Sequence, residues 1–301
     1  MPKDAWLSMV PRINIPMWQF LLLLAGFVPL AVLLALVFLE RWRRKRRGER
    51  SPLSEKLLRP AGHSLQRKLE DLNEAFDTWF IGTFLCSLLA VGSLPFAPAD
   101  TIGRTIFLIV FGLGTAGCTV MAWRTLLKLR TNRLGLLGEQ AMAELLQWLL
   151  PLGYQVFHDV PGDGKWNIDH VVVGPAGVFA VETKYRTKQP GKASERDHEA
   201  IFDGDKIQFP SHYDTETPEQ ARRNARWLAK ELSKATGERV TVQPIVALPG
   251  WWVTLKANSD IKVLNGKQVP GFIAKEPAQL SDKAIQQISY QLEQRCRDVD
   301  F

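Results

Sequence analysis

A chain of 301 residues, 46% hydrophobic and 23% charged, has room for one substantial domain plus further elements. Its formal net charge of +7 hides an asymmetry, because residues 1–133 hold 18 Lys/Arg against 9 Asp/Glu whereas residues 134–301 hold 20 against 22. Net charge is therefore no argument for nucleic-acid binding by the second part, and Cys86, Cys118 and Cys296 are too widely spaced for a zinc site or a disulfide framework, which suits a reducing compartment.

After a short N-terminal segment (1–16), residues 17–39 contain no charged side chain. That length spans the ~30 Å of hydrocarbon in a bilayer. Pro29 can kink such a helix without breaking it. Arg41, Arg43, Arg44, Lys45, Arg46 and Arg47 follow at once. Charge after the apolar run is the wrong order for a cleaved signal peptide, and the block reads as a topological anchor rather than a nucleic-acid patch. Within the basic loop at 40–78, Leu65, Leu69, Leu72 and Phe76 recur at helical spacing. An amphipathic helix follows, either on the membrane surface or packed on the later domain. Residues 79–97 and 106–123 are two further apolar spans, joined by a connection with one basic residue, and Arg124, Lys128, Arg130 and Arg133 come after them. The positive-inside rule then puts the N-terminus outside and the remainder of the chain in the cytoplasm. Trp18, Trp42, Trp79 and Trp123 fit an interfacial aromatic belt, and Gly112, Gly114, Ala116 and Gly117 give a small-residue face for helix packing.

Residues 134–150 have a helical pattern with Met142, Leu145, Leu146 and Leu149 as the buried stripe, stopped by Pro151 and Gly153. Glu139 falls in its first turns, where a helix dipole favours a carboxylate. A strand at 154–160 and a Pro161-Gly162-Asp163-Gly164 turn lead into two β-branched runs flanking Gly174-Pro175-Ala176-Gly177, a hairpin signal. A two-residue loop pairs Val173 with Val178 and Val171 with Ala180, and sets Asp169 opposite Glu182. Lys184 falls on the same face by alternation. Two carboxylates ~5 Å apart repel unless a cation lies between them, and a hard divalent ion suits such a site. A cross-strand ion pair at a solvated sheet end is the plainer reading. His158 and His170 alternate with apolar residues and are expected to be structural, His170 facing away from Asp169.

Lys184, Arg186 and Lys188 share a strand face, with Lys192 beyond; this is a phosphate-contact pattern or a solvated strand end. An edge hairpin is expected around Asp203-Gly204-Asp205. Pro218 opens a helix to about residue 235, with Gln220, Asn224, Trp227 and Glu231 on one side and Arg222, Arg223 and Arg226 on the flanks. Strands at 240–248 and 261–264 precede a final helix that Ser281 can cap, with Ile285, Ile288 and Leu292 as its stripe. The order helix, strand, hairpin, helix, strand predicts an α/β core with a mixed sheet. No Gly-rich phosphate loop, Ser-His-Asp ordering or zinc-ligand spacing is present.

Asp169 followed across a hairpin by Glu182-x-Lys184 resembles the core of the PD-(D/E)xK nuclease superfamily. Residues from about 134 to 255 more narrowly resemble the NERD (nuclease-related) domain. The matching pieces are Gly138-Glu139, Asn167-Ile168-Asp169-His170, Val181-Glu182-Thr183-Lys184 and Pro218-Glu219-Gln220-Ala221 with Asn224. The resemblance implies a restriction-endonuclease-like mixed sheet flanked by helices at 134–301, here preceded by an α-helical transmembrane region. It also implies Mg²⁺- or Mn²⁺-dependent hydrolysis of phosphodiester bonds. Asp169 and Glu182 would bind the metal, Glu139 would support it, Lys184 would assist the attacking water and Gln220 would approach the site. Arg186, Lys188 and Arg223 are weaker candidates for substrate phosphate. Nucleic acid, DNA rather than RNA, is the expected partner besides the lipid bilayer, and the expected location is a bacterial inner (cytoplasmic) membrane. A catalytically inactive nucleic-acid-binding module and a membrane scaffold are the alternatives.

Overall fold

A computed structural model describes residues 56–93, 101–164, 166–188 and 198–299, with isolated positions between 32 and 43. The expected N-terminal segment, nearly all of the 17–39 span and the basic block, the end of the 79–97 span and Lys192 lie outside the described residues. Contacts divide the chain into two units, Met1–Ser54 with Glu74–Leu126, and Glu55–Asn73 with Leu127–Phe301.

Two long helices supply the described part of the first unit. Helix α1 (His63–Ser93) carries the amphipathic stretch and the apolar stretch from residue 79 in one element. Helix α2 (Thr101–Leu146) likewise joins the 106–123 span to the helix expected from residue 134. No proline interrupts residues 101–150, and the chain leaves the α-helix only near Pro151, through a 3-10 stretch (Gln147–Leu152) closed by Gly153 at φ 82°. Glu139 is therefore deep inside a helix, and the N-terminal dipole does not explain it. Within this unit Cys118 Sγ would lie 3.3 Å from a Cβ on Gly82, and Cys86 Sγ 3.7 Å from one on Gly114, whereas Gly112 and Gly117 face open space. Ile106, Ile109, Val110, Leu113 and Trp123 are exposed. Among the described residues, one helix is long and apolar enough to cross a membrane, with a window of mean hydropathy 2.0 and none of it buried.

The second unit is built on a five-stranded mixed sheet in the order β10-β8-β4-β3-β2. Strands β2 (Gln155–Pro161), β3 (Asn167–Gly174) and β4 (Gly177–Thr183) form an antiparallel meander. Strands β8 (Val242–Ala247) and β10 (Lys262–Leu264) extend it in parallel from β4. Both faces are covered, so β3 is a continuous buried run. On one face Val171, Val173, Val178 and Ala180 pack with Ala225, Leu228 and Leu232 of α3 (Glu216–Thr236) and with residues of the last helix. On the other, Val172, Phe179 and Val181 meet Met142 and Leu146 of α2, and Val269 and Ile273 of the short α4 (Val269–Lys275). Helix α5 (Asp282–Cys296) is capped by Ser281, whose Oγ accepts from the Ala284 N–H at 3.3 Å, and buries Ile285, Ile288 and Leu292 as the stripe predicted. The hairpin expected around Asp203 is β5 (Glu199–Phe202) with β6 (Ile207–Gln208). It belongs to a second sheet, β7-β6-β5-β9, completed by β7 (Tyr213–Asp214) and β9 (Trp252–Leu255).

The segment 55–73 groups by its contacts with this unit. Its strand β1 (Leu57–Leu58) pairs antiparallel with β11 (Arg297–Val299) at the far end of the chain. The anchor is Asp159, fully buried and held at φ 50°. Its carboxylate accepts from Arg59 Nη1 at 2.9 Å, Ser64 Oγ at 2.7 Å, Ser64 N at 3.2 Å and Asn167 Nδ2 at 2.8 Å. Arg59 also donates to Asp298, from Nε at 2.6 Å. An Asp159→Ala substitution removes the acceptor of four hydrogen bonds, leaves Arg59 with Asp298 alone and places alanine in a left-handed conformation, so it should cost about 2–4 kcal/mol. Denaturant unfolding of the full-length protein, followed by tryptophan emission, measures this. Asp159→Asn, which tolerates the backbone and keeps polar partners, should cost less.

Candidate active site

The site lies where β3 begins and β4 ends. The observed register has Val173 opposite Val178, Val171 opposite Ala180 and His170 opposite Val181, the pair next to Asp169 and Glu182. Asp169 and Glu182 are both buried. Asp169 Oδ2 accepts the Thr183 N–H at 2.7 Å, tying the first strand's start to the second strand's end. Strand β4 is held in line by β8, since Thr183 pairs with Ala247 and the Lys184 N–H donates to the Ala247 carbonyl at 2.9 Å.

Helix α3 supplies the next pair. Gln220 Nε2 donates to Glu182 Oε1 at 2.8 Å and Asn224 Nδ2 to Oε2 at 3.2 Å. Residues four apart share a helix face, so both amides reach one carboxylate and fix its plane. Asp214 lies just before this helix, which starts at Glu216, two residues before the Pro218 start read from the sequence. The Asp214 carboxylate accepts the Thr217 N–H and hydroxyl, each at 2.9 Å, and pairs with Arg186 at 3.3 Å. Burial works to raise the Asp214 pKa, but the Thr217 donors, Lys184 and Arg186 outweigh it and hold the group below the usual range. Asp214 was missed in the sequence, although Asp-x-x-Thr before a helix is a capping signal.

Glu139 comes from α2. A Cβ on Gly138 would meet Tyr185 Cβ at 2.4 Å, so only glycine lets the helix pass this close to the strand end, where Glu139 and Lys184 adjoin the contact. Glu139 is buried and its Oε2 has no hydrogen-bond partner among the described residues. Lys184 is half-buried and near enough to oppose the raised pKa values of Asp169 and Glu182, yet it forms no ion pair within 4 Å among the described residues. Of the weaker candidates, Arg186 is turned to Asp214, Lys188 is exposed, and Arg223 lines a cavity of about 500 Å³ with Trp166, Gln220, Asn224 and Trp227. His158 and His170 face each other across the strands with Nδ1 atoms 2.8 Å apart, both pushed toward the neutral form by burial, a structural pair as expected.

Three buried acids crowd this corner. Burial, then the charges of Asp169 and Asp159, raise Glu139 to about 9, with the Gly62 backbone N–H opposing. Burial raises Asp169 to about 7 against the Thr183 hydrogen bond, and burial with the Asp169 charge raises Glu182 well above its ordinary value. The donors are all hard oxygens, and Glu139 offers an unpartnered one, which is the chemistry of a Mg²⁺ or Mn²⁺ site. Among the described residues, no three His, Cys, Asp or Glu side chains converge closely enough to enclose an ion.

The raised acids have a consequence for stability. The native state keeps protons that the unfolded chain releases above about pH 4, so stability falls as pH rises toward the folded-state values. Thermal unfolding of the full-length protein in chelator should show Tm falling between about pH 6.5 and 9, and Glu139→Gln should flatten that slope. A Tm that climbs across this window would contradict the electrostatics described.

No curated protein and no solved structure matches the chain. Residues 134–249 match the family model described as NERD, nuclease-related domain. That stretch, which carries Glu139, Asp169, Glu182, Lys184, Gln220 and Asn224, is a nuclease-related domain.

Proposed function

We propose that the second unit is a divalent-metal-dependent nuclease with a restriction-endonuclease-like core, hydrolysing phosphodiester bonds of nucleic acid, DNA in the first instance. The observation that carries this reading is an ammonium, Lys184, that forms no ion pair within 4 Å among the described residues, beside three buried carboxylates. A structural charge cluster would close with a salt bridge between these groups; this one does not. Asp169 and Glu182, with Glu139 behind them, are the residues that would hold Mg²⁺ or Mn²⁺. The ion, when bound, supplies a water of lowered pKa and neutralises phosphate charge. Gln220 and Asn224 keep the Glu182 carboxylate in one orientation, and the Thr183 N–H does the same for Asp169. Lys184 stabilises charge that builds on the phosphoryl oxygens or orients the attacking water. Residues 134–301 carry 20 Lys/Arg against 22 Asp/Glu, so substrate is held by local contacts more than by a general field.

A second reading, a nucleic-acid-binding module without turnover, draws on the fact that both Glu182 oxygens are already occupied by amides and that no three ligands converge among the described residues. Incubating the full-length protein with single- and double-stranded DNA and RNA, with Mg²⁺, Mn²⁺ or chelator, separates the two. Cleavage should require the metal and fall by about 10²–10³ in Lys184→Ala and in Glu182→Gln. Binding with no cutting in either metal supports the second reading.

The protein is proposed to be anchored in a bilayer through α2, whose uncharged residues 106–123 are exposed along much of their length. The basic residues at 124–133 put the nuclease domain on the cytoplasmic side, at a bacterial inner membrane. A reporter fused after Phe301 should behave as cytoplasmic; a translocated reporter would reverse this topology.

A further inference from the structure

The turn before β3 builds a rigid aromatic wall. The Gly162 N–H donates to the Trp166 carbonyl at 2.9 Å, and a Cβ on Gly162 would lie 2.3 Å from Trp166 Cε2, so the indole rests directly on the glycine. Trp166 meets Trp227 of α3 with ring centroids 4.7 Å apart and planes at 78°. Trp227 is held in turn, its Nε1–H donating to Asp163 Oδ2 at 2.8 Å and the Arg295 guanidinium lying 4.9 Å from its ring. Arg295 is pinned by the Pro161 carbonyl at 3.2 Å and Glu231 at 3.1 Å. Each group holding these indoles is itself held, yet Trp166 stays 37% exposed. A tryptophan needed only for packing has no reason to be both fixed in place and left open to solvent.

The space beside this wall is the cavity of about 500 Å³ bounded by Trp166, Gln220, Arg223, Asn224 and Trp227. Its size is within the range of small-molecule sites. Two of its lining residues are the same amides that bind Glu182, so an occupant is one side chain from the carboxylates. The lining combines an indole face, two amides able to donate and accept, and an exposed guanidinium. Stacking on an aromatic face suits any base, amides match base edges, and arginine suits phosphate. In a duplex the bases are already stacked and paired, and their faces are closed to a protein side chain.

We propose, building on the nuclease reading, that the Trp166–Trp227 cavity receives an unpaired nucleobase beside the phosphodiester presented to Asp169 and Glu182, so that the domain acts on single-stranded nucleic acid. Arg223 contacts the phosphate on the cavity side of that base. Duplex is then a substrate only where it is frayed, nicked open or locally unpaired.

The test uses full-length protein in detergent with Ca²⁺ to support binding, and an oligonucleotide carrying 2-aminopurine, offered alone or annealed to its complement. The single strand should bind at least about tenfold more tightly, with 2-aminopurine emission quenched by stacking. Trp166→Ala should weaken single-strand binding about 5- to 100-fold, remove the quenching and leave duplex binding unchanged, while Trp166→Phe restores most of it. Unchanged melting of each variant shows that the fold is intact. Equal affinity for both strands, an equal loss for both in Trp166→Ala, or no loss at all overturns the proposal. The nuclease reading is judged separately, with Mg²⁺. Tryptophan-dependent single-strand binding without cleavage refutes that reading and keeps this one. Metal-dependent cleavage of duplex and single strand alike, indifferent to Trp166→Ala, does the reverse.

Discussion

Everything at the carboxylate corner depends on the register between β3 and β4. With both faces of the sheet packed, sliding one strand by a single residue would turn every apolar side chain of that strand to the opposite core and carry Asp169 or Glu182 with it. The Gly174-Pro175-Ala176-Gly177 turn fixes the pairing at one end, and Gly177 at φ 129° supplies a conformation that residues with a Cβ rarely adopt. At the other end the strands run out just where α3 and α2 deliver Gln220, Asn224 and Glu139. The polar corner is therefore the rim of an apolar sheet, dry enough to raise carboxyl pKa values and near enough to the edge to be reached.

That corner is a cost to the fold. Three buried acids with a single half-buried ammonium among them leave the domain less stable than an apolar rim would, and direct relief comes from neutral donors, among them the Thr183 amide, Gln220 and Asn224. Neutral donors fix direction without cancelling charge, so the carboxyl groups are oriented while burial still favours their protonated forms. Gly138 belongs to the same logic, because a helix set back from Tyr185 by one methyl group would carry Glu139 away with it.

The hairpin, the turn residues and the stripe of the last helix were legible in the sequence because period and punctuation are local properties. Asp169 facing Glu182 followed from counting residues outward from the turn, and Gln220 with Asn224 from helical spacing. The ends of the long helices were not legible. Nothing between residues 101 and 150 breaks a helix, so two stretches that differ in composition became one element, and Glu139 lost the position at a helix start that its local sequence implied. The four-stranded sheet escaped because β6 and β7 are two residues long and β9 joins β5 in parallel from fifty residues away. Asp159 escaped for a different reason. An aspartate next to a strand's polar end has the look of a surface residue, and its burial depends on an arginine a hundred positions earlier in the chain.

The stretch recognisable by its sequence and the stretch that folds together are not the same. The family match begins at residue 134, while β1 and Arg59 at the front of the second unit reach β11 and Asp298 at its very end. Gly62 touches the same ensemble, a Cβ there falling 3.6 Å from the Glu139 carboxylate. Trimming to the recognisable part would strip one edge of β11 and unbolt the loop beside Glu139. The portable module is longer than its signature, and the excursion of residues 74–126 interrupts it after its first segment, residues 55–73.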